Sequence, residues 1–214
     1  MKYELVIFDW DGTLADSTQH IVECIREASA VTGVEFPGVD AALNIIGLGM
    51  QEAIVDMFGE RDQAFIDGFR AAYSNHFFRS PANRSDLFAG VLDLLHQLRG
   101  CGLKMALATG KSRRGMDRAL LQMELQDMFH AVKCADETAS KPDPLMLQQL
   151  LEEFNLSPEQ AVMVGDTEYD MAMAASIGMP RIAVSYGAHI EDRLRPFAPE
   201  AIVHSAAELI HSLI

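Results

Sequence analysis

Leu5-Val6-Ile7-Phe8-Asp9-Trp10-Asp11-Gly12-Thr13 decides the reading of this chain. Four apolar residues in a row, with nothing polar between them, suit a strand buried on both faces of a parallel sheet. The run then breaks into two carboxylates around a tryptophan, a glycine and a hydroxyl. Similar apolar runs recur at Met105-Ala106-Leu107-Ala108, Ala161-Val162-Met163-Val164, Ile182-Ala183-Val184 and Ala201-Ile202-Val203. Ala131-Val132-Lys133-Cys134 is a sixth, of mixed character. Helical spacing fills the gaps. Val91, Leu94, Leu95 and Leu98 mark one helix, stopped by Gly100 and Gly102. Leu147, Leu150, Leu151 and Phe154 mark another, with Asp143 as its cap and Pro144 at its first position. Strands alternating with helices predict a doubly wound, Rossmann-like α/β fold on a parallel sheet.

Residues 16–82 break this rhythm. They show helical pattern only, with turns at Gly33, Pro37-Gly38, Gly47-Leu48-Gly49 and Gly59. Ile21, Val22, Ile25 and Ala28 form one apolar face; Phe65, Phe69, Ala72 and Phe77 form another. Ser80-Pro81-Ala82-Asn83-Arg84-Ser85 reads as the return linker. The expected organisation is an α/β core of residues 1–15 and 83–214 with an all-helical cap at 16–82. An irregular helical layer without domain status is the plainer alternative.

The 214 residues carry a formal charge of −14, which disfavours nucleic acid and anionic membrane as partners because both attract basic surface. Cys24, Cys101 and Cys134 form no Cys-x-x-Cys pair and read as small buried apolar residues in a reducing compartment. The first apolar run is too short for a signal-peptide core or a membrane span, so a cytoplasmic location is expected.

Ligands of an open parallel sheet bind at the carboxyl ends of its strands. There the sequence places Asp9 and Asp11, then Thr109-Gly110-Lys111, then Gly165-Asp166 with Asp170, while Lys141-Pro142 precedes a helix. Each piece alone has a plain structural explanation. Asp-x-Asp-Gly suits a turn, Thr109-Gly110 ends a strand, and a lone lysine is usually solvated. Asp166 and Asp170, four apart in a helical first turn, suit a cap and the helix dipole. Together the carboxylates, the hydroxyl and the lysine are the composition of a site for a hard cation and a phosphate.

In these motifs the chain resembles the haloacid dehalogenase superfamily, in the branch with a helical cap after the first strand that holds phosphoglycolate phosphatases and β-phosphoglucomutases. The matching residues are Phe8 to Leu14 with Asp16-Ser17, Thr109-Gly110-Lys111, Lys141-Pro142, and Gly165-Asp166 with Asp170. The second motif departs slightly, reading Thr109-Gly110 where the family often has Thr-Asn or Ser-Asn; glycine keeps the backbone N–H used there.

The resemblance implies a Mg²⁺-dependent phosphatase acting on a small phosphorylated metabolite of the phosphoglycolate, sugar-phosphate or nucleotide type. It makes Asp9 the nucleophile that forms an aspartyl-phosphate, and Asp11 the general acid and base. Mg²⁺ would be held by Asp9, the backbone carbonyl of Asp11, and Asp166, with Asp170 supporting from behind. Thr109, Gly110 and Lys141 would hold the phosphoryl oxygens, Lys141 kept extended by Pro142. Gly47-Leu48-Gly49 would face the core from the cap. Lys111, Arg113 and Arg114 are expected at the surface. The cap segment has no lysine, only Arg26, Arg61, Arg70 and Arg79 against ten acidic residues, which gives no support to a substrate with a second strong anion unless one well-aimed arginine meets it. A dehalogenase or phosphonatase does not need Asp11, and a phosphonatase needs a cap lysine. A β-phosphoglucomutase-like phosphomutase stays open, and a non-catalytic phosphoacceptor or binding protein is a remoter alternative.

Overall fold

The computed structural model describes residues 2–79 and 86–214; the expected return linker at residues 80–85 lies outside the described residues. In chain order the elements are β1 (Leu5–Phe8), α1 (Thr18–Thr32), α2 (Val39–Asn44), α3 (Met50–Phe58), α4 (Gln63–Arg79), α5 (Val91–Gly100), β2 (Lys104–Thr109) and α6 (Arg113–Gln122). They continue with β3 (Ala131–Cys134), α7 (Leu145–Phe154), β4 (Ala161–Gly165), α8 (Glu168–Ser176), β5 (Arg181–Val184), α9 (Glu191–Leu194), β6 (Ala201–Val203) and α10 (Ala206–Leu213).

The six strands form one sheet in the order β3-β2-β1-β4-β5-β6, every neighbouring pair parallel. β1 sits inside it, registered Phe8 to Leu107 on one side and Phe8 to Val164 on the other. Its side chains alternate between two cores. Val6 and Phe8 pack with α5, α6 and α10, while Leu5 and Ile7 pack with α7 and α8. Helices on both faces explain why the run carries no polar residue. β3 lies at an edge, with its first three residues only half-buried, which is why its sequence is mixed. The strand order reverses at β1: the chain builds outward through β2 and β3, then returns to β4 on β1's other side. That is the place where a doubly wound sheet opens a crevice.

Helices α1 to α4 gather an apolar core of their own. Ile21, Ile25, Ile46, Ile54, Ile66 and Phe69 cluster apart from the two sheet-side cores. Phe69 and Ile54 are fully buried in it. The chain leaves and re-enters the sheet layer through paired backbone: Ala15 bridges Leu87, and the Asp16 N–H donates to the Asp86 carbonyl at 2.9 Å. α7 begins one residue later than its sequence suggests. Pro144 occupies the N-cap position, and Asp143 serves from one residue further out, its Oδ1 accepting from the Leu145 N–H at 2.9 Å. Cys101 is exposed, unlike Cys24 and Cys134, because it follows the last turn of α5 at the surface. Among the described residues no helix is long and apolar enough to cross a membrane.

Candidate functional site

The carboxyl end of β1 continues the ladder for one residue, the Asp9 N–H donating to the Val164 carbonyl at 2.9 Å. The chain then folds back, with the Leu14 and Ala15 N–H groups both donating to the Trp10 carbonyl. Trp10 anchors this turn by burying its ring edge-on against Phe129. Gly12 takes φ +82, and a Cβ there would fall inside the Asp166 carboxylate. Gly187 approaches the same carboxylate from the other side, equally closely. Two glycine backbones therefore let Asp166 sit between them, which no residue with a side chain would permit.

Asp9, Asp166 and Asp170 are buried and each offers a carboxylate oxygen within 4.8 Å of the others. Lys141 stands among them, its Nζ 2.7 Å from Asp9 Oδ1 and 2.7 Å from Asp170 Oδ1. Only the second contact has hydrogen-bond geometry, so both oxygens of Asp9 lack a hydrogen-bond partner. Asp166 accepts from Thr13 Oγ1 at 2.8 Å and from the Ala188 N–H at 2.7 Å. Asp170 is fully engaged: Oδ1 takes Lys141, and Oδ2 takes the Thr167 N–H and hydroxyl. Asp166 lies before the helix rather than in its first turn. Asp170 completes a capping box with Thr167 at the start of α8. The capping explanation of Asp170 thus holds, and so does its contact with the charged cluster. Lys141 sits in a turn with a cis bond to Pro142, not in extended chain.

Three buried carboxylates face a single ammonium. Burial pushes the Asp9 carboxyl well above the usual carboxylate range, opposed by Lys141 and reinforced by Asp170 and Asp166. Burial, then Asp170, pushes Asp166 up to about 7. Burial would lower Lys141, but Asp170 and Asp9 outweigh it and hold the ammonium above its ordinary value. Excess buried negative charge, hard oxygen donors and the unpartnered oxygens of Asp9 fit a divalent cation.

Asp11 is placed apart from this cluster. Its carboxylate accepts from Ser17 Oγ at 2.6 Å and pairs with Lys111 Nζ at 2.9 Å. Lys111, expected at the surface, is instead mostly buried, with its ammonium 4.6 Å from the centre of the Phe77 ring. Its position two residues after Thr109, in the same strand-end loop, placed it near enough to reach the site, but its burial against Asp11 and Phe77 is visible only in three dimensions. Arg113 is spent on Glu137, at 2.7 Å. Thr109 is fully buried at the end of β2, its Oγ1 accepting from the Lys111 N–H at 3.2 Å.

Gly110 lies against the cap. A Cβ on it would stand 2.5 Å from the Gly47 carbonyl oxygen and 2.6 Å from that of Leu48. The segment Gly47-Leu48-Gly49 therefore faces the core, and the Gly49 N–H donates to Ser140 Oγ at 2.7 Å. Beside it Tyr169 and His189 both hydrogen-bond the Asn44 carbonyl. Between this loop, α1, α4 and the strand ends lies a cavity of about 410 Å³ that reaches Asp9, Asp11, Gly110 and Lys111.

Known proteins share this architecture. The haloacid dehalogenase-like hydrolase family model matches residues 6–184. The chain is 32% identical over 205 residues to the tyrosine-protein kinase PtkA of Mycobacterium tuberculosis, covering 95% of this chain and 69% of that one. It is 27% identical over 223 residues to a phosphoglycolate phosphatase of Psychrobacter arcticus, covering 100% of this chain and 97% of the relative. A haloacid dehalogenase-like family hydrolase from Streptococcus pneumoniae has the same fold, with a TM-score of 0.85 at 22% identity over 100% of this chain and 99% of its own. The chain belongs to the haloacid dehalogenase-like hydrolase family, as a phosphatase-type enzyme.

Proposed function

We propose that the protein hydrolyses small phosphate monoesters with Mg²⁺, using Asp9 as nucleophile and Asp11 as general acid and base. The observation that carries this is the gathering of a buried Asp9 carboxylate, whose oxygens accept no hydrogen bond, with Lys141, Asp166 and Asp170 in one cluster, and Asp11 on the cavity side. Phosphate monoesters hydrolyse extremely slowly unaided, and a carboxylate approaching a dianion meets charge repulsion. Mg²⁺ held by Asp9, the Asp11 backbone carbonyl and Asp166 would neutralise the phosphoryl oxygens as charge shifts in the transition state.

The remaining work falls to side chains. An Asp9 oxygen attacks phosphorus and forms an aspartyl-phosphate. Asp11 gives its proton to the departing ester oxygen, then takes one from the water that cleaves the acyl phosphate. Lys141, fixed by Asp170, presents its ammonium to the phosphoryl group, with the Thr109 hydroxyl and Gly110 N–H as further donors. Ser17 and Lys111 aim the Asp11 carboxylate. Residues 16–82 act as a cap over a core of 1–15 and 83–214, excluding water during the phosphoryl step. The substrate is a small phosphorylated metabolite.

The test is hydrolysis of p-nitrophenyl phosphate and a panel of phosphate esters with Mg²⁺ or EDTA, by the native protein and Asp9→Asn. Turnover that needs Mg²⁺ and vanishes in the variant is expected. No phosphate release from any ester by folded, Mg²⁺-loaded protein would overturn the reading. Because one relative is named a kinase, phosphate is also followed onto added alcohols and protein. Transfer there in place of water would mark a transferase or mutase outcome.

A further inference from the structure

We infer that the preferred substrate is a phosphate monoester whose leaving group is an uncharged aromatic alcohol, an inference that rests on the phosphatase reading above and names its substrate class. The cavity above Asp9 and Asp11 holds about 410 Å³, near the small end for ligand pockets and suited to one ring beside a phosphoryl group. Its cap wall is apolar, with partly buried Met50, Tyr73 and Phe77 at its surface and fully buried Ile25, Ile46 and Phe69 packed behind them. Tyr73 and Phe77 lie one turn apart on α4, their rings stacked with centroids 5.9 Å apart and planes at 19°. Phe77 also covers the ammonium of Lys111, which is paired with Asp11. The aromatic wall therefore runs directly to the group that protonates the leaving oxygen.

The charges of the cavity exclude the alternatives. Among the described residues its cations are Lys111 and Arg70. Lys111 is committed to Asp11, at 2.9 Å. Arg70 faces Asp67 at 3.5 Å and is 47% exposed, so it stands in water at the rim. Glu52 and Asp136 line the same space and repel a carboxylate or second phosphate. A sugar fares no better, since each buried hydroxyl needs a partner. Among the described residues the polar side chains of the cap wall are Gln51, Ser74, the Tyr73 hydroxyl, and the charged Glu52 and Arg70, too few to partner every hydroxyl of a sugar. A ring asks for none of these and gains from burial against aromatic faces.

The experiment compares esters of primary alcohols of similar acidity, so that leaving-group reactivity nearly cancels: benzyl phosphate against phosphoglycolate and glucose 6-phosphate, each with Mg²⁺. The expected result is kcat/KM higher for benzyl phosphate by at least about tenfold. Equal or greater turnover of phosphoglycolate or glucose phosphate overturns the inference and leaves the phosphatase reading intact. A second arm needs no turnover. Calorimetry with the non-hydrolysable phenethylphosphonate and phosphonopropionate should show the aromatic compound binding at least about tenfold more tightly. Equal affinities, or the reverse, overturn the inference whatever the hydrolysis assay gives. Failure of every ester in the first arm, with aromatic preference kept in the second, faults the phosphatase reading alone.

Discussion

The Lys141 ammonium donates to Asp170 Oδ1 at 2.7 Å, and neither side chain has any exposure to solvent. Asp170 thereby fixes where the ammonium points without facing the substrate itself. Asp170→Asn removes the charge that holds Lys141 and leaves Asp9 as its anionic partner. The expected loss is about 10–100-fold in kcat with the fold retained, the size seen when a group that orients a functional side chain is removed. An unchanged kcat would mean that Asp170 does no more than cap α8.

Gly110 is the contact between core and cap loop. In Gly110→Asn the new Cβ meets the Gly47 and Leu48 carbonyls and pushes the loop outward. A displacement on the ångström scale is expected to cost about a hundredfold in kcat/KM. Steady-state kinetics on one ester decides it; wild-type values would show that the loop yields without consequence.

Metal should stabilise the fold by relieving the crowding of carboxylates around Asp9. Thermal melting is expected to shift upward with Mg²⁺, by about 2.7 kcal/mol of stability at a hundredfold excess over Kd, and to revert with EDTA. Asp9→Asn should melt above the wild type when metal is absent, because it removes one of three crowded buried carboxylates while Lys141 keeps Asp170 as its hydrogen-bonded partner. The same variant should lose most of the Mg²⁺ response. A full response in Asp9→Asn would place the cation elsewhere.

His189 ties the core to the cap through its neutral form. Nδ1 accepts from the Glu168 N–H at 3.1 Å, so Nε2 carries the proton it donates to the Asn44 carbonyl. Burial, then the nearby Arg193, lowers its pKa below the ordinary 6.5. A lowered value in a base means that the unfolded chain takes up the proton first. The contribution is therefore whole above 6.5 and declines as pH falls from there towards the depressed folded value. The difference in stability between wild type and His189→Gln, followed by denaturant titration, should shrink over that range; a flat difference would contradict the assignment.

Burial, first among the influences, pushes the thiols of Cys24 and Cys134 up to about 12, whereas Cys101 is exposed. A disulfide reagent at mildly alkaline pH should label one thiol quickly and two only on unfolding. Cys101→Ser should abolish the fast phase. Two fast thiols in the native protein would contradict the burial of the pair.

What could be read from the chain alone follows from where each signal is stored. The run of β1 was legible because both its faces are covered, so its surroundings are written into four consecutive residues. Ala131–Cys134 was faint because an edge strand is half wet. Asp9, Asp166, Asp170 and Lys141 were legible as a group because Asp9 and Asp166 end or follow strands, Lys141 precedes a helix and Asp170 lies in the first turn of one, all at the same end of the sheet. Lys111 escaped because its partners are far from it in sequence, Asp11 by 100 positions and Phe77 by 34. The second reason for glycine at 110, room for two cap carbonyls, is likewise visible only in three dimensions. The cap wall was opaque because apolar residues at helical spacing look alike whether they fill a core or line a cavity.

The Asp16 N–H and the Asp86 carbonyl are 2.9 Å apart, and Ala15 bridges Leu87 beside them. A chain that closed this gap with a two-residue turn would omit all four helices of the insert without stretching β1 or α5. The seam is thus a point of exchange, at which one insert can be traded for another of different shape while Asp9, Asp11 and Asp166 keep their places.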